Sequence, residues 1–317
     1  MALLAGKKQT DEEQAGKNVF RFELFPKNVL VTGANGQLGS EIRRAVKGHE
    51  ANLSFIFTDV AELDITDLDT LKNFVKENQI KYIVNCAAYT AVDKAEDDVE
   101  LCYKINRDAV RNLGVAAADN GANVIHVSTD YVFDGTNTRP YVETDPVSPR
   151  SVYGKSKQEG EAALIEVCPA SAIIRTAWLY SIFGNNFVKT MIKLGKERES
   201  LSVVADQTGT PTNAADLAKA IVRIIDYSEA NSRFESGIYH YSNEGVTTWY
   251  DFTVEIHKDA GITTCKVSPI TTDQYPTRAV RPQYSVLDKT KIKNTFGIDI
   301  PQWQDSLQVC IEELTRN

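Results

Sequence analysis

The sequence lacks any long apolar run, and no window approaches the roughly 18 consecutive apolar residues that a membrane-spanning helix requires. Its first residues, MALLAGKKQTDEEQAG, contain a four-residue apolar run but no hydrophobic core of a secretory signal. Positive charge is in deficit: 35 Lys and Arg face 43 Asp and Glu, for a net charge of −8. That balance argues against a nucleic-acid-binding face or a polybasic membrane surface. Cysteine is sparse, and Cys86, Cys102, Cys168, Cys265 and Cys310 form no C-x-x-C pair and no close set with histidine. Such scattered thiols imply neither a disulfide framework nor a zinc site. Internal repeats and low-complexity linkers are absent too. The expectation is a cytoplasmic protein with no membrane or nucleic-acid partner.

What remains is an ordinary globular balance over 317 residues, 42% hydrophobic and 25% charged. That length suits one large domain or two unequal ones. Residues 1 to about 18 are polar and mixed in charge, as a disordered tail would be. The segment Phe20-Arg21-Phe22-Glu23-Leu24-Phe25-Pro26 is more apolar, and reads as a hook on the domain surface or as a partner-binding segment.

From residue 27 a regular alternation begins. Asn28 to Thr32 is a short β-rich run that stops at glycine, as a buried parallel strand should. A helix from Gln37 to about Lys47 follows, then strand 53–58, helix 71–78, strand 82–86, helix 100–120 and strand 123–128. A helix over about 155–166 and a strand over 172–175 continue the pattern. This alternation predicts a parallel sheet with right-handed crossovers. Beyond Trp178 it weakens, which suggests a smaller irregular lobe, although Ala214 to Asp226 has the spacing of a helix returning to the first lobe.

Between the first strand and first helix lies Thr32-Gly33-Ala34-Asn35-Gly36-Gln37-Leu38-Gly39. Gly33 permits a tight turn, Gly36 lets backbone approach a phosphate, and Gly39 allows close helix–strand packing. A pyrophosphate would sit at the positive end of the helix. Asp59 ends the second strand 20 residues after Gly39, where a carboxylate accepts hydrogen bonds from an adenosine ribose. A carboxylate there favours a free 2′-hydroxyl and so, taken alone, NADH over NADPH.

Tyr153 and Lys157 are spaced i, i+4 at the start of a helix, one turn apart on one face. An ammonium beside a phenol stabilises the phenolate and lowers its pKa, which equips Tyr153 as a proton donor to a developing alkoxide. Thr129 stands at the carboxyl end of the fourth strand, where open α/β sheets bind ligands. Its hydroxyl is placed to hydrogen-bond the carbonyl that Tyr153 protonates.

These motifs resemble the extended short-chain dehydrogenase/reductases, and among them the dTDP-4-dehydrorhamnose reductases. NCAAYTAVDKAE (85–96) and STDYVFDG (128–135) carry the narrower resemblance, and the matching segments run from Asn28 to about Asp305. The resemblance implies a Rossmann-type doubly wound parallel sheet with a smaller, irregular α+β substrate lobe. It implies reduction of the C4 ketone of dTDP-4-dehydro-6-deoxy-L-mannose to dTDP-L-rhamnose, with NADPH or NADH as hydride source. Tyr153, Lys157 and Thr129 would be catalytic. The cofactor would meet Gly33, Gly36, Gln37, Leu38, Gly39, Asp59, Asp64, Ile65, Ala88, Tyr89, Thr90, Tyr153 and Lys157. The dTDP-sugar would meet Val92, Thr129, Asp130 and Trp178. Read without the resemblance, Asp64 is a helix cap, Val92 is loop packing and Trp178 fits the core about as well as a ligand. Some members of the family are Mg²⁺-linked homodimers; Glu41 matches one such acidic position, but no full ligand set accompanies it.

The domain boundaries expected are 1–26 for the extension, 27–177 plus about 207–230 for the NAD(P)-binding domain, and about 178–206 plus 231–317 for the substrate lobe. Arg281 and Lys189 are candidate partners of the sugar-nucleotide phosphates, or else solvated surface charges. Three other functions compete. A nucleotide-sugar dehydratase would carry Glu where Tyr131 stands, which argues against elimination. An NAD-dependent epimerase uses the same machinery without net cofactor consumption. A non-catalytic subunit resembling the methionine adenosyltransferase β subunit shares the fold, but does not require the Thr129, Tyr153 and Lys157 set.

Overall fold

The apolar run before the glycine turn forms β1 (Lys27–Thr32), the pivot of a parallel sheet in the computed structural model, which describes residues 27–48 and 53–316. The other strands are β2 (Leu53–Phe57), β3 (Ile80–Asn85), β4 (Asn123–Thr129), β5 (Ser171–Thr176) and β6 (Gly237–His240). Their spatial order is β6-β5-β4-β3-β1-β2, all pairs parallel. The chain runs outward from β1 to β2, then returns past β1 to β3. This reversal opens a crevice at the carboxyl ends of β1 and β3, the place where such sheets bind ligands.

Helices cover both faces. They are α1 (Gln37–Ala45), α2 (Leu68–Glu77), α3 (Val99–Tyr103), α4 (Ala109–Asn120) and α5 (Val152–Val167). Further on come α6 (Phe187–Glu197), α7 (Ala214–Asn231), α8 (Trp249–Asp259), α9 (Thr290–Phe296) and α10 (Trp303–Arg316). In α7, Leu217, Ile221, Ile224 and Ile225 recur at helical spacing and are fully buried with Leu38 and Ile42 of α1 against one sheet face. On the other face, Leu71 and Val75 of α2 join Val110 and Leu113 of α4 and Leu164 of α5. Because both faces are covered, all six residues of β5 are buried, which is why the strands read as continuous apolar runs.

The structure departs from sequence expectation at two places that matter for function. The helix expected over 100–120 is divided by a π turn at Lys104–Asp108, a widened turn of the kind often found at functional sites. That turn buries Asn106, whose side chain bonds the backbone of Tyr89 and the hydroxyl of Ser156. The region 231–317, expected entirely in the smaller lobe, also returns to the main sheet. Gly237–His240 pairs with β5, Ile238 opposite Ile173, and α9 packs Ile292 and Phe296 into the α1–α7 core. A four-residue strand beginning at glycine gave the sequence pattern too few positions to declare itself.

The smaller lobe gathers α6, α8 and α10 around Val188, Phe252, Ile256 and Leu307. Ser200–Val204 pairs there in parallel with Lys266–Ile270. No described helix is long and apolar enough to cross a membrane. The calls on residues 1–26, disorder and the Phe20–Pro26 hook included, lie outside the described residues.

Candidate active site

A cleft of about 860 Å³ opens at the carboxyl ends of β1, β3, β4 and β5. The glycine turn forms one wall. Gly33 has φ +62°, and a Cβ there would stand 2.6 Å from the Ala87 nitrogen, so no other residue fits without moving the backbone that follows β3. Gly36 caps α1 without a side-chain hydrogen bond, which leaves the first-turn amides of Gln37 and Leu38 to meet an anion. Gly36, Gln37 and Leu38 all line the cleft. Gly39 does not; a Cβ there would lie 2.6 Å from Ala34 Cα and from the Gly33 carbonyl oxygen. Its smallness seats α1 on the turn itself rather than on the strand.

At the next corner, Asp59 accepts hydrogen bonds from the amides of Asn35 (3.0 Å) and Val60 (2.9 Å), so one carboxylate braces the turn and faces the cleft. Asp64 accepts from the Thr66 amide at 2.8 Å, while Asp67 caps α2. The helix-cap reading of Asp64 is thereby corrected: it lines the cleft with Ile65. Ala88, Thr90 and Val92 line it too, but Tyr89 does not. The Tyr89 hydroxyl donates to Asp98 (2.9 Å) and its amide to Asn106 (2.9 Å), which fixes the loop on either side.

Ser151 caps α5, accepting the Gly154 amide at 3.1 Å, and this start sets Tyr153 and Lys157 facing the cleft. The Thr129 hydroxyl lies beside the Tyr153 phenol, and the Tyr131 ring meets the Tyr153 ring edge-on at 5.5 Å. Burial pushes the phenol well above its ordinary pKa, with the neighbouring Thr129 hydroxyl pulling the other way. Lys157 is 1% exposed and donates to the Val127 carbonyl at 2.7 Å. Burial brings its ammonium down to about 8, against the opposing pull of Glu161 one turn on. Lys157 does not bring the Tyr153 pKa below its ordinary value. The ammonium is committed to β4, and desolvation of the phenolate prevails. At neutral pH Tyr153 is a protonated phenol, the form a proton donor needs. Asp130 is buried beside Thr129, whose hydroxyl donates to it at 3.0 Å; burial raises this carboxyl to about 6.

The smaller lobe supplies the last wall. Trp178 has φ +47°, an uncommon backbone for a bulky residue, and stacks on Trp249 at 3.5 Å and 11°. Its ring lines the cleft and packs against the aromatic core at once. Gly184, Asn185 and Asn186 also line the cleft, and the Asn186 amide donates to Gln37 at 3.0 Å. Sequence reasoning missed Asn186, Lys104 and Cys86 as lining residues. An asparagine just ahead of an apolar helical run was the available signal, since Asn186 caps α6 by accepting the Lys189 amide.

The two candidate phosphate partners are otherwise engaged. Lys189 donates to the carbonyls of Ile182 (3.2 Å) and Gly184 (2.8 Å), and Arg281 bridges Asp93 and the Tyr131 hydroxyl. Glu41 is 2% exposed and accepts from Ser181 at 2.6 Å. Among the described residues no group of three or more His, Cys, Asp or Glu side chains could hold a metal ion.

Residues 27–316 match the family model described as the RmlD substrate binding domain. A dTDP-4-dehydrorhamnose reductase of Aggregatibacter actinomycetemcomitans is 42% identical over 285 residues, covering 88% of this chain and 97% of that protein. A crystal structure of a dTDP-4-dehydrorhamnose reductase from Clostridium acetobutylicum is similar with a TM-score of 0.86 and 46% identity, covering 91% of this chain and 99% of that one. Another from Bacillus anthracis, in complex with NADP, gives a TM-score of 0.85 at 40% identity, covering 90% of this chain and 99% of that one.

Proposed function

The chain belongs to the RmlD substrate-binding-domain family, that of the dTDP-4-dehydrorhamnose reductases, and on that premise we propose that Tyr153 is the proton donor of an NADP-linked ketone reduction. The reaction converts dTDP-4-dehydro-6-deoxy-L-mannose to dTDP-L-rhamnose. One observation carries the residue assignment: Thr129, Tyr153 and Lys157 meet in the same cleft as the glycine turn.

The residues present fit a dinucleotide. Gly33, Gln37 and Leu38 offer backbone amides to its pyrophosphate while Gly36, whose amide donates to the Gly33 carbonyl, keeps the approach open, and Asp59, with Asp64 and Ile65 beside it, faces its adenosine end. Ala88 and Thr90 border its path towards Tyr153 and Lys157. When bound, the nicotinamide supplies hydride to C4. The protein's own residues do the rest. Tyr153 gives its phenolic proton to the C4 alkoxide, and the Thr129 hydroxyl, turning its one proton from Asp130 to Tyr153, stabilises the phenolate. The Lys157 ammonium, charged below about pH 8, adds electrostatic stabilisation. Trp178 offers a flat apolar face to the substrate, Val92 flanks it, and Asp130 offers a buried carboxyl to its hydroxyl groups. The domain division proposed is a nucleotide-binding body built on the sheet and a substrate lobe built on α6, α8 and α10. Glu41 is spent on Ser181 and Arg44 and is given no metal role.

The test is a spectrophotometric assay with the dTDP-4-keto sugar and NADPH or NADH. One cofactor oxidised per ketone consumed supports the reading. Isomerised sugar without net oxidation would mark an epimerase instead.

A further inference from the structure

Beneath the cleft a buried polar chain crosses three strands of the sheet. Thr32 on β1, Asn85 on β3, His126 on β4 and Lys157 on α5 are each no more than 1% exposed. The Thr32 hydroxyl donates to Asn85 Oδ1 at 2.7 Å, and the Ala87 amide donates to the same oxygen at 3.1 Å. A backbone N–H can only donate, so the oxygen of the Asn85 amide must face it. Asn85 Nδ2 is thereby turned to His126 Nδ1 at 2.9 Å, and that ring nitrogen must accept. Burial and the nearby Lys157 hold the imidazole neutral, so its single proton lies on Nε2. Nε2 faces Lys157 Nζ at 3.4 Å.

The consequence is specific. An imidazole N–H opposed to an ammonium is donor against donor, whereas opposed to an amine it has a lone pair to meet. Lys157 Nζ keeps its bond to the Val127 carbonyl in either state, since an amine can still donate. We propose that His126 is a positioning residue of the reduction, whose Nε2–H holds Lys157 as a proton-exchanging amine rather than a fixed cation. After Tyr153 has given its proton to the alkoxide, Lys157 can surrender a proton towards the phenolate, leaving an amine that the His126 N–H stabilises. The proton balance is closed when Lys157 takes a proton back from solvent. The other groups facing Lys157 are Glu161 on its own helix, Cys102 on α3 and Cys86 at the end of β3. Glu161 favours the ammonium, and it is itself held in a buried pair with Arg175. His126 therefore offsets a carboxylate one turn away.

This inference rests on the roles proposed for Tyr153 and Lys157, and the experiment separates the two. In His126→Asn the contact with Asn85 can survive but the reach to Lys157 is lost; in His126→Gln an amide reaches Lys157 and can turn its oxygen to an ammonium. The pH profile of kcat is measured for both and for wild type. The expected result is a falling alkaline limb that moves up by about one pH unit in H126N and at least as far in H126Q, since removing the opposed donor favours the ammonium and an amide oxygen favours it further. An unmoved limb in H126N would overturn the inference while leaving the reading of Tyr153 and Lys157 intact; turnover that survives in both Tyr153→Phe and Lys157→Met would remove that reading instead. If the variants do not fold, nitrogen-15 NMR of the wild-type histidines decides. His126 as an Nε2–H tautomer, not titrating between about pH 5 and 9, supports the assignment. A proton on Nδ1, or titration in that range, contradicts it.

Discussion

The Asn186 side-chain amide donates to Gln37 at 3.0 Å, joining the loop that caps α6 to the first turn of α1, where a pyrophosphate is expected. This neutral hydrogen bond ties the two walls of the cleft, beside the Ser181–Glu41 bond further along α1. A bond of this kind contributes about 1 kcal/mol, equivalent to roughly fivefold in affinity. Gln37→Ala and Asn186→Ala should each weaken NADPH binding several-fold, and the double variant should lose no more than one of them. Asn186→Ala should also lower thermal stability by about 1 kcal/mol through the lost cap. Cofactor titration over the double-mutant cycle checks the coupling.

Activity should depend on pH through Lys157. Its ammonium is depressed by burial to about 8, so the charged form is present below that value and lost above it. We expect kcat to be level from about pH 6 to 7.5 and then to fall up to tenfold per unit above about pH 8, since Tyr153 stays protonated throughout. A profile flat to pH 10 would dissociate Lys157 from the rate.

Asp130 gives a stability prediction with a defined sign. Burial raises its carboxyl to about 6, above the roughly 3.9 of an unfolded chain. Stability from this group is complete below about pH 4 and is lost as pH rises through about 6. The loss approaches about 3 kcal/mol at pH 8. Asp130→Asn should therefore melt higher than wild type at pH 8, with the gap closing towards pH 4. The same variant should bind the dTDP-sugar more weakly. Melting curves across that range, beside substrate KM, test both.

Much of this site was legible because it follows the chain locally. Gly33, the tyrosine–lysine spacing and Thr129 at a strand end each sit on one element, and their positions follow from its period. Asp59 declared itself through its distance from the glycine turn. What the sequence hid is what the sheet assembles from a distance. His126 reads as one more alternating strand residue until β3 and β4 pair and set Asn85 and His126 side by side. Gly237–His240 was hidden for the same reason, since an edge strand of four residues is defined by its pairing with β5. Lys189 and Arg281 looked free to bind phosphate because the carbonyls and Asp93 that occupy them lie on other segments.

Asp59 sets a further expectation. Its carboxylate lies against the turn that meets the adenosine end, and its negative charge opposes a 2′-phosphate. Asp59→Ser should shift the ratio of kcat/KM towards NADPH over NADH by about tenfold, with some loss of stability from the freed Asn35 and Val60 amides. An unchanged ratio would place discrimination elsewhere.

The central claim is that Tyr153 donates the proton, and Tyr153→Phe tests it most directly. The ring and its packing on Tyr131 are retained, and only the hydroxyl is removed. Turnover of the dTDP-4-keto sugar with NADPH should fall by a factor of about 100 or more, while cofactor affinity stays within about twofold of wild type. Near-wild-type turnover in this variant would contradict the account.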